Sequence, residues 1–342
     1  MNSVYLGISV VFPLVCYMII GRVVKLKGLV GERTLSELNS LIFRVLLFTL
    51  IFLNSYTVDI KSILSSENIK ILILALSSLT IIFIGAIIIV RFFVTDKQRH
   101  VVIVQAIYRS NLALFGLPII LSLYGEGRQS STAILIAVVV PLYNISAVFL
   151  LGSATEKGFA NGKKVSGKLF DKNENARNGR SGIVIKTILK AFKNPLVVGS
   201  LLGLLVNAIC TFFNISIPQL IKTPMDAIGK CATPLAFMVL GGSLEFSKMK
   251  KNLKVILSVT IIRLVIIPAI VMGAAIVLGL RNEGLVAFIG VFASPVAVSS
   301  YTMAKDLEVA PELAGELVAV TTIVSLFSMF GFISVLNYFH FI

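Results

Sequence analysis

The chain has 342 residues, 57% of them hydrophobic and 14% charged, with no tryptophan. Its mean hydropathy of +0.96 excludes an ordinary soluble domain. A bilayer core about 30 Å thick asks for roughly 20 consecutive apolar residues per helix, and such runs recur here between short charged stretches, so the class is a polytopic helical membrane protein.

In chain order ten spans are predicted, over residues 3–21, 34–54, 69–94, 101–123, 131–152, 195–213, 225–246, 254–280, 284–304 and 312–337. The first segment, MNSVYLGISVVFPLVCYMIIG, lacks the basic leader and small-residue cleavage site of a signal peptide and reads as the first span. With residue 1 outside, the inner loops hold 22 of the 31 Lys and Arg residues and the outer loops five, the other four (Arg44, Arg109, Lys230, Arg263) lying within spans. That bias fixes the orientation, with both termini outside the cell membrane and the central linker in the cytoplasm. It also accounts for the net charge of +15 as a topology signal, so nucleic acid is not a partner.

Residues 153–194 form a basic cytoplasmic linker, whose stretch TEKGFANGKKVSGKLFDKNENARNGRSG has too few apolar residues for a core. It reads as a flexible connection or as a segment facing anionic lipid. On either side lie five spans: residues 1–152 form a first five-helix repeat and residues 195–342 a second. An odd number of helices per half forces the halves into opposite orientations. The predicted fold class is therefore an all-α membrane protein, ten transmembrane helices as two inverted repeats of five, with broken, crossing helices 4 and 9.

The fourth span reads VVIVQAIYRSNLALFGLPIILSLYG and the ninth LVAFIGVFASPVAVSSYTMAKDL. Pro118 and Pro295 each remove a backbone donor near the span centre, with Gly116 or the small pair Ala293 and Ser294 alongside, which predicts breaks at those prolines. Prolines in spans 1, 5, 7 and 8 (Pro13, Pro141, Pro234, Pro268) lack such a partner in the opposite half. Freed backbone groups survive in hydrocarbon only when buried in protein or facing water, and half-helix N-termini suit a carboxylate.

The candidate substrate-binding set is Asn111, Gly116, Pro118, Ser294, Pro295, Ser299, Ser300 and Arg109. Asn111 bonds either the substrate or its own broken backbone. Arg109 lies nine residues before Pro118, about 13 Å along a regular helix, which puts it between the crossing and the cytoplasmic face. There it either attracts anions or snorkels to the interface. Arg44 and Arg263 read mainly as structural partners, and Asp226 with Lys230 as a local ion pair. Gly199 and Gly203 fit the small-xxx-small pattern of close helix packing.

Cys16, Cys210 and Cys231 show no metal-binding spacing, and His100 and His340 are the only histidines. No nucleophile, acid–base pair or phosphate loop is visible, so neither an enzyme nor a bound cofactor is expected. No Asp or Glu sits at the centre of a span, which points to uniport driven by the membrane potential, although sodium held by unwound carbonyls, or a proton, stays open as a coupling ion.

Three segments resemble the auxin efflux carrier family, which includes the plant PIN-formed carriers and bacterial organic-acid permeases. They are Asn111, Gly116, Pro118, Tyr124 and Gly125 in span 4; Pro295, Ala304, Lys305, Asp306 and Pro311 in and after span 9; and CATPLAFMVLGGSLEF in span 7. The resemblance implies a scaffold of spans 1, 2, 6 and 7, a transport domain of spans 3 to 5 and 8 to 10, and a substrate at the crossing. It also implies efflux of small organic anions by alternating access and a homodimer through the scaffold. The acidic residue and lysine that the plant carriers place in span 3 have no counterpart here. A sodium- or proton-coupled symporter of bile-acid-transporter architecture and a membrane sensor keeping the carrier fold are the alternatives.

Overall fold

The computed structural model describes residues 3–57, 66–125, 128, 130–158 and 194–342. Most of the basic linker, residues 159–193, lies outside the described residues, as does Lys61. The elements of the described chain are all helices: α1 (Ser3–Leu26), α2 (Glu32–Tyr56), α3 (Ser66–Phe93), α4 (Lys97–Tyr108), α5 (Leu112–Tyr124), α6 (Ser130–Gly158), α7 (Pro195–Phe213), α8 (Gln219–Ser243), α9 (Phe246–Ile261, extended by Ile262–Ile266 and Ile267–Val277), α10 (Asn282–Ala293), α11 (Val298–Asp306) and α12 (Pro311–Tyr338).

Local sequence explains where several of these begin and end. The Asp96 carboxylate accepts the Arg99 amide at 2.7 Å and starts α4. Asn194 accepts the Leu196 amide at 2.9 Å ahead of Pro195, whose missing N–H falls where a helix has no use for it. Asn214, left-handed at φ 52°, stops α7.

Among the described residues six helices, α2, α3, α6, α7, α9 and α12, are long and apolar enough to cross a membrane. Their outer surfaces agree with that reading: on α3, Ile81 is 71% and Phe93 82% exposed. A water-soluble protein would bury such side chains, whereas hydrocarbon solvates them. In α8 the polar run Lys222, Asp226, Lys230 lowers the hydropathy. Asp226 and Lys230 make no ion pair there, contrary to the expectation from their spacing; Lys230 is exposed, and an exposed pair contributes little.

Small residues set the packing distances. A Cβ on Gly199 would sit 2.9 Å from the Phe48 carbonyl oxygen, and one on Gly203 would overlap the Phe52 carbonyl, so α7 lies directly on the α2 backbone. The centre of the molecule, where α4 meets α5 and α10 meets α11, is the best-buried region: Phe115, Phe288 and Phe292 are all at most 1% exposed.

Candidate functional site

Two helices stop short at the middle of the molecule and resume after a few extended residues. Between α4 and α5 the chain is extended at Arg109 (φ −88°, ψ 120°) and turns at Asn111 (φ −90°, ψ 47°). Between α10 and α11 it is extended at Ser294 (φ −71°, ψ 154°) and Ala297 (φ −63°, ψ 133°). These connectors pair with each other in an antiparallel bridge between Ser110 and Val296, and the Asn111 amide donates to the Pro295 carbonyl at 2.9 Å. Val296 N–H donates to the Thr321 hydroxyl of α12 at 3.3 Å. The backbone groups that two breaks would leave bare are satisfied by the other break and by its neighbours, as a water-poor interior requires.

The first break does not lie where proline suggested. Pro118 is inside α5, and the helix runs through it. The interruption comes seven residues earlier, because the Asn111 amide is drawn to Pro295 instead of to Ile107 four residues back. Arg109 therefore sits in the crossing itself, not between the crossing and the cytoplasmic face, and at 2% exposure it does not snorkel. Gly116 is a packing residue: a Cβ on Gly290 would lie 2.9 Å from the Gly116 Cα, so α5 and α10 touch backbone to backbone. The second break does fall at its proline. Pro295 has no N–H to offer Val291, and the last turn of α10, Ile289–Ala293, widens before it ends.

Each break leaves a carbonyl without its helical donor, that of Ile107 and that of Val291. One side chain reaches both. Arg263, in the widened turn of α9, donates from Nη1 to the Ile107 carbonyl at 3.3 Å and from Nη2 to the carbonyls of Val291 at 2.9 Å and Ser294 at 3.1 Å. It is fully buried.

Arg109 points elsewhere. Its Nη2 donates to Asn144 Oδ1 at 2.7 Å and Ser299 Oγ at 2.8 Å, and its Nη1 approaches Met303 Sδ at 3.1 Å. Among the described residues no carboxylate forms an ion pair with Arg109 or Arg263. Two guanidiniums thus stand in the interior with only neutral hydrogen-bond partners among the described residues.

Arg109 also lines a cavity of about 140 Å³, well above the roughly 10–15 Å³ that one water needs on such a measure. Apolar walls come from Leu47, Leu50 and Ile51 of α2 and Leu114 of α5, while Asn54, Ser110, Asn111, Tyr143, Asn144, Thr233 and Ser299 bring polar groups. The Asn111 amide nitrogen Nδ2 is buried with no partner among the described residues, and its backbone carbonyl accepts Leu114 and Phe115. Tyr143 O–H lies 3.2 Å from Ser110 Oγ, and Asn144 is further held by Ser200 at 3.4 Å.

Of the residues expected from sequence, Arg109, Asn111 and Ser299 share this cavity. Gly116, Pro118, Ser294, Pro295 and Ser300 do not line it. Ser294 and Ser300 are buried with hydroxyls that meet no partner among the described residues. Sequence reasoning missed Asn54, Ser110, Tyr143, Asn144 and Thr233; the run VVVPLYNIS in α6, with Asn144 polar in an apolar helix, was the available signal. Arg44, by contrast, is a peripheral partner, 3.5 Å from Asp306.

A family model described as "Membrane transport protein" matches residues 6–333. A comparison with curated proteins yields no match.

Proposed function

The chain belongs to the membrane transport protein family, that of the auxin efflux carriers, and is a multi-pass membrane transporter; from that premise we propose that it exports small organic anions, carboxylates foremost, by alternating access at the connector crossing. The observation that carries this reading is Arg109: a buried cation with no carboxylate partner among the described residues, its guanidinium on the wall of a small, mostly apolar cavity. A carboxylate entering the cavity supplies the missing counter-charge. A charge-assisted hydrogen bond in such surroundings is worth about 1.5–3 kcal/mol. Asn111 Nδ2, buried with no partner among the described residues, is a second donor for the same anion, and the apolar wall of α2 favours a substrate with a short hydrocarbon body.

In this reading the ten spans form inverted repeats, with α1, α2, α7 and α8 as the scaffold, which also carries a homodimer contact, and the other helices as the moving part. The cavity lies between them: α2 and α8 on one side, the connectors with α5 and α6 on the other. Three contacts fasten α11 to α2 and α8: Asn39 Nδ2 to the Thr302 carbonyl at 3.2 Å, Arg44 to Asp306 at 3.5 Å, and Lys305 Nζ to Ser243 Oγ at 2.7 Å. Opening toward that end, assigned to the cytoplasm by the Lys and Arg bias, breaks these bonds and leaves the helical pairing within each part intact.

The test is uptake into proteoliposomes of a panel of labelled mono- and dicarboxylates and indole-3-acetate, with and without an imposed potential. Saturable uptake of at least one acid, weakened in Arg109→Gln, is the expected result. A wild type that moves none of them under any gradient returns the chain to the sensor reading.

A further inference from the structure

Carrier helices broken at mid-membrane expose C-terminal carbonyls, and in many transporters those carbonyls hold a coupling cation. Here the carbonyls of Ile107, from the end of α4, and of Val291 and Ser294, from the end of α10, converge within 3.3 Å of one guanidinium. Both half-helices direct the negative ends of their dipoles at this point. Two hydroxyls nearby in sequence, Ser294 Oγ and Thr260 Oγ1, are buried and have no partner among the described residues. Oxygen ligands from two broken helices, with no acidic side chain among them, make a site for a single positive charge.

We infer that Arg263 is the resident cation of a carbonyl cage that joins the two half-helices, standing where a mobile coupling ion would otherwise bind. The inference rests on the transport reading above and deepens it by stating the coupling. Arginine keeps its charge at any physiological pH and spreads it over a planar fork that meets carbonyls from two directions. A fixed cation neither enters nor leaves, so the crossing stays assembled through the cycle and cation gradients do no work on it. Lysine carries the same charge on a single nitrogen and holds fewer of the carbonyls at once.

The experiment uses the full chain with Arg263→Ala, which vacates the cage, and Arg263→Lys, which refills it. Thermal unfolding in detergent and carboxylate uptake are measured in sodium, in millimolar guanidinium, and in N-methyl-D-glucamine, a cation too bulky to enter. Wild type is expected to unfold at one temperature in all three and to transport at rates within about twofold of one another. Arg263→Ala is expected to unfold at lower temperature in the bulky cation, to recover saturably with sodium or guanidinium, and to regain uptake in step, with Arg263→Lys intermediate. Wild-type uptake that requires sodium overturns the inference. So does an Arg263→Ala protein that is indifferent to both small cations, because a purely structural cap leaves no cation response. If Arg263→Ala yields no folded protein, Arg263→Lys and the wild-type ion series decide. If no carboxylate is transported at all, the transport reading fails, while the unfolding series still reports on the cage.

Discussion

Arg109, in the first connector, and Arg263, in α9, are both buried at the crossing, and neither has a carboxylate partner among the described residues, yet their surroundings assign them opposite work. Arg263 bonds backbone carbonyls from both half-helices through Nη1 and Nη2. Arg109 is held by side chains, Asn144 and Ser299, and faces a cavity. A cation bonded to main-chain oxygens stabilises a backbone that has left its helix; a cation bonded to side chains at the edge of a void has attraction left for a ligand. Burial and charge alone do not separate the two. The identity of the partner atoms does.

The sharpest way to break this contrast is to neutralise each arginine in turn. Arg263→Ala strands three carbonyls, and with about 1–3 kcal/mol for each buried group left unpaired it is expected to lower the unfolding temperature more than any other single change in the crossing. Arg109→Gln removes a charge that no carboxylate among the described residues balances, so its stability is expected to hold or rise. Its transport, however, is expected to weaken about ten- to hundredfold in KM, the equivalent of the lost charge-assisted bond. Equal destabilisation by the two substitutions would erase the distinction.

Smaller effects sharpen it. Gly290→Val pushes a side chain into the Gly116 backbone and is expected to cost about 1–3 kcal/mol in thermal unfolding as overpacking does, with transport falling because the connectors move apart. Asn111→Ala deletes a donor that has no partner among the described residues. Stability is expected to change little, while the KM for the transported acid rises about tenfold, the low end of what a hydrogen bond to a carboxylate is worth. Pro118→Ala, in the middle of α5, is expected to leave uptake within about twofold, since a proline-to-alanine change inside a helix restores a donor; a large loss there would put the functional break back at Pro118.

The sequence carried the all-helical class, the membrane and the family, because each is written in hydropathy or in local motifs. It carried the break at Pro295 as well, since a missing N–H is a local fact. The break at Asn111 was not legible in the same way. Its amide leaves the helix for a carbonyl 184 residues away, and no local signal competes with a glycine and a proline a few residues on. That misplacement moved Arg109 as well: measured from Pro118 it falls outside the crossing, measured from Asn111 it is part of it. Arg263 was legible only as an expensive residue within a span. What it satisfies became visible once Ile107 and Val291 were side by side, which requires both halves of the chain. Asn54, Tyr143, Asn144 and Thr233 are polar residues scattered through largely apolar helices, and only their convergence on one cavity distinguishes them.

The central claim, that the crossing is an anion site built on Arg109, is tested most directly by uptake of labelled carboxylates into paired proteoliposomes holding wild type and Arg109→Gln. The unfolding temperature of each preparation is read alongside. Saturable uptake by wild type, driven by the imposed potential, together with a weakened KM in a variant that unfolds no earlier, is the outcome this account requires. Undiminished uptake by Arg109→Gln would contradict it.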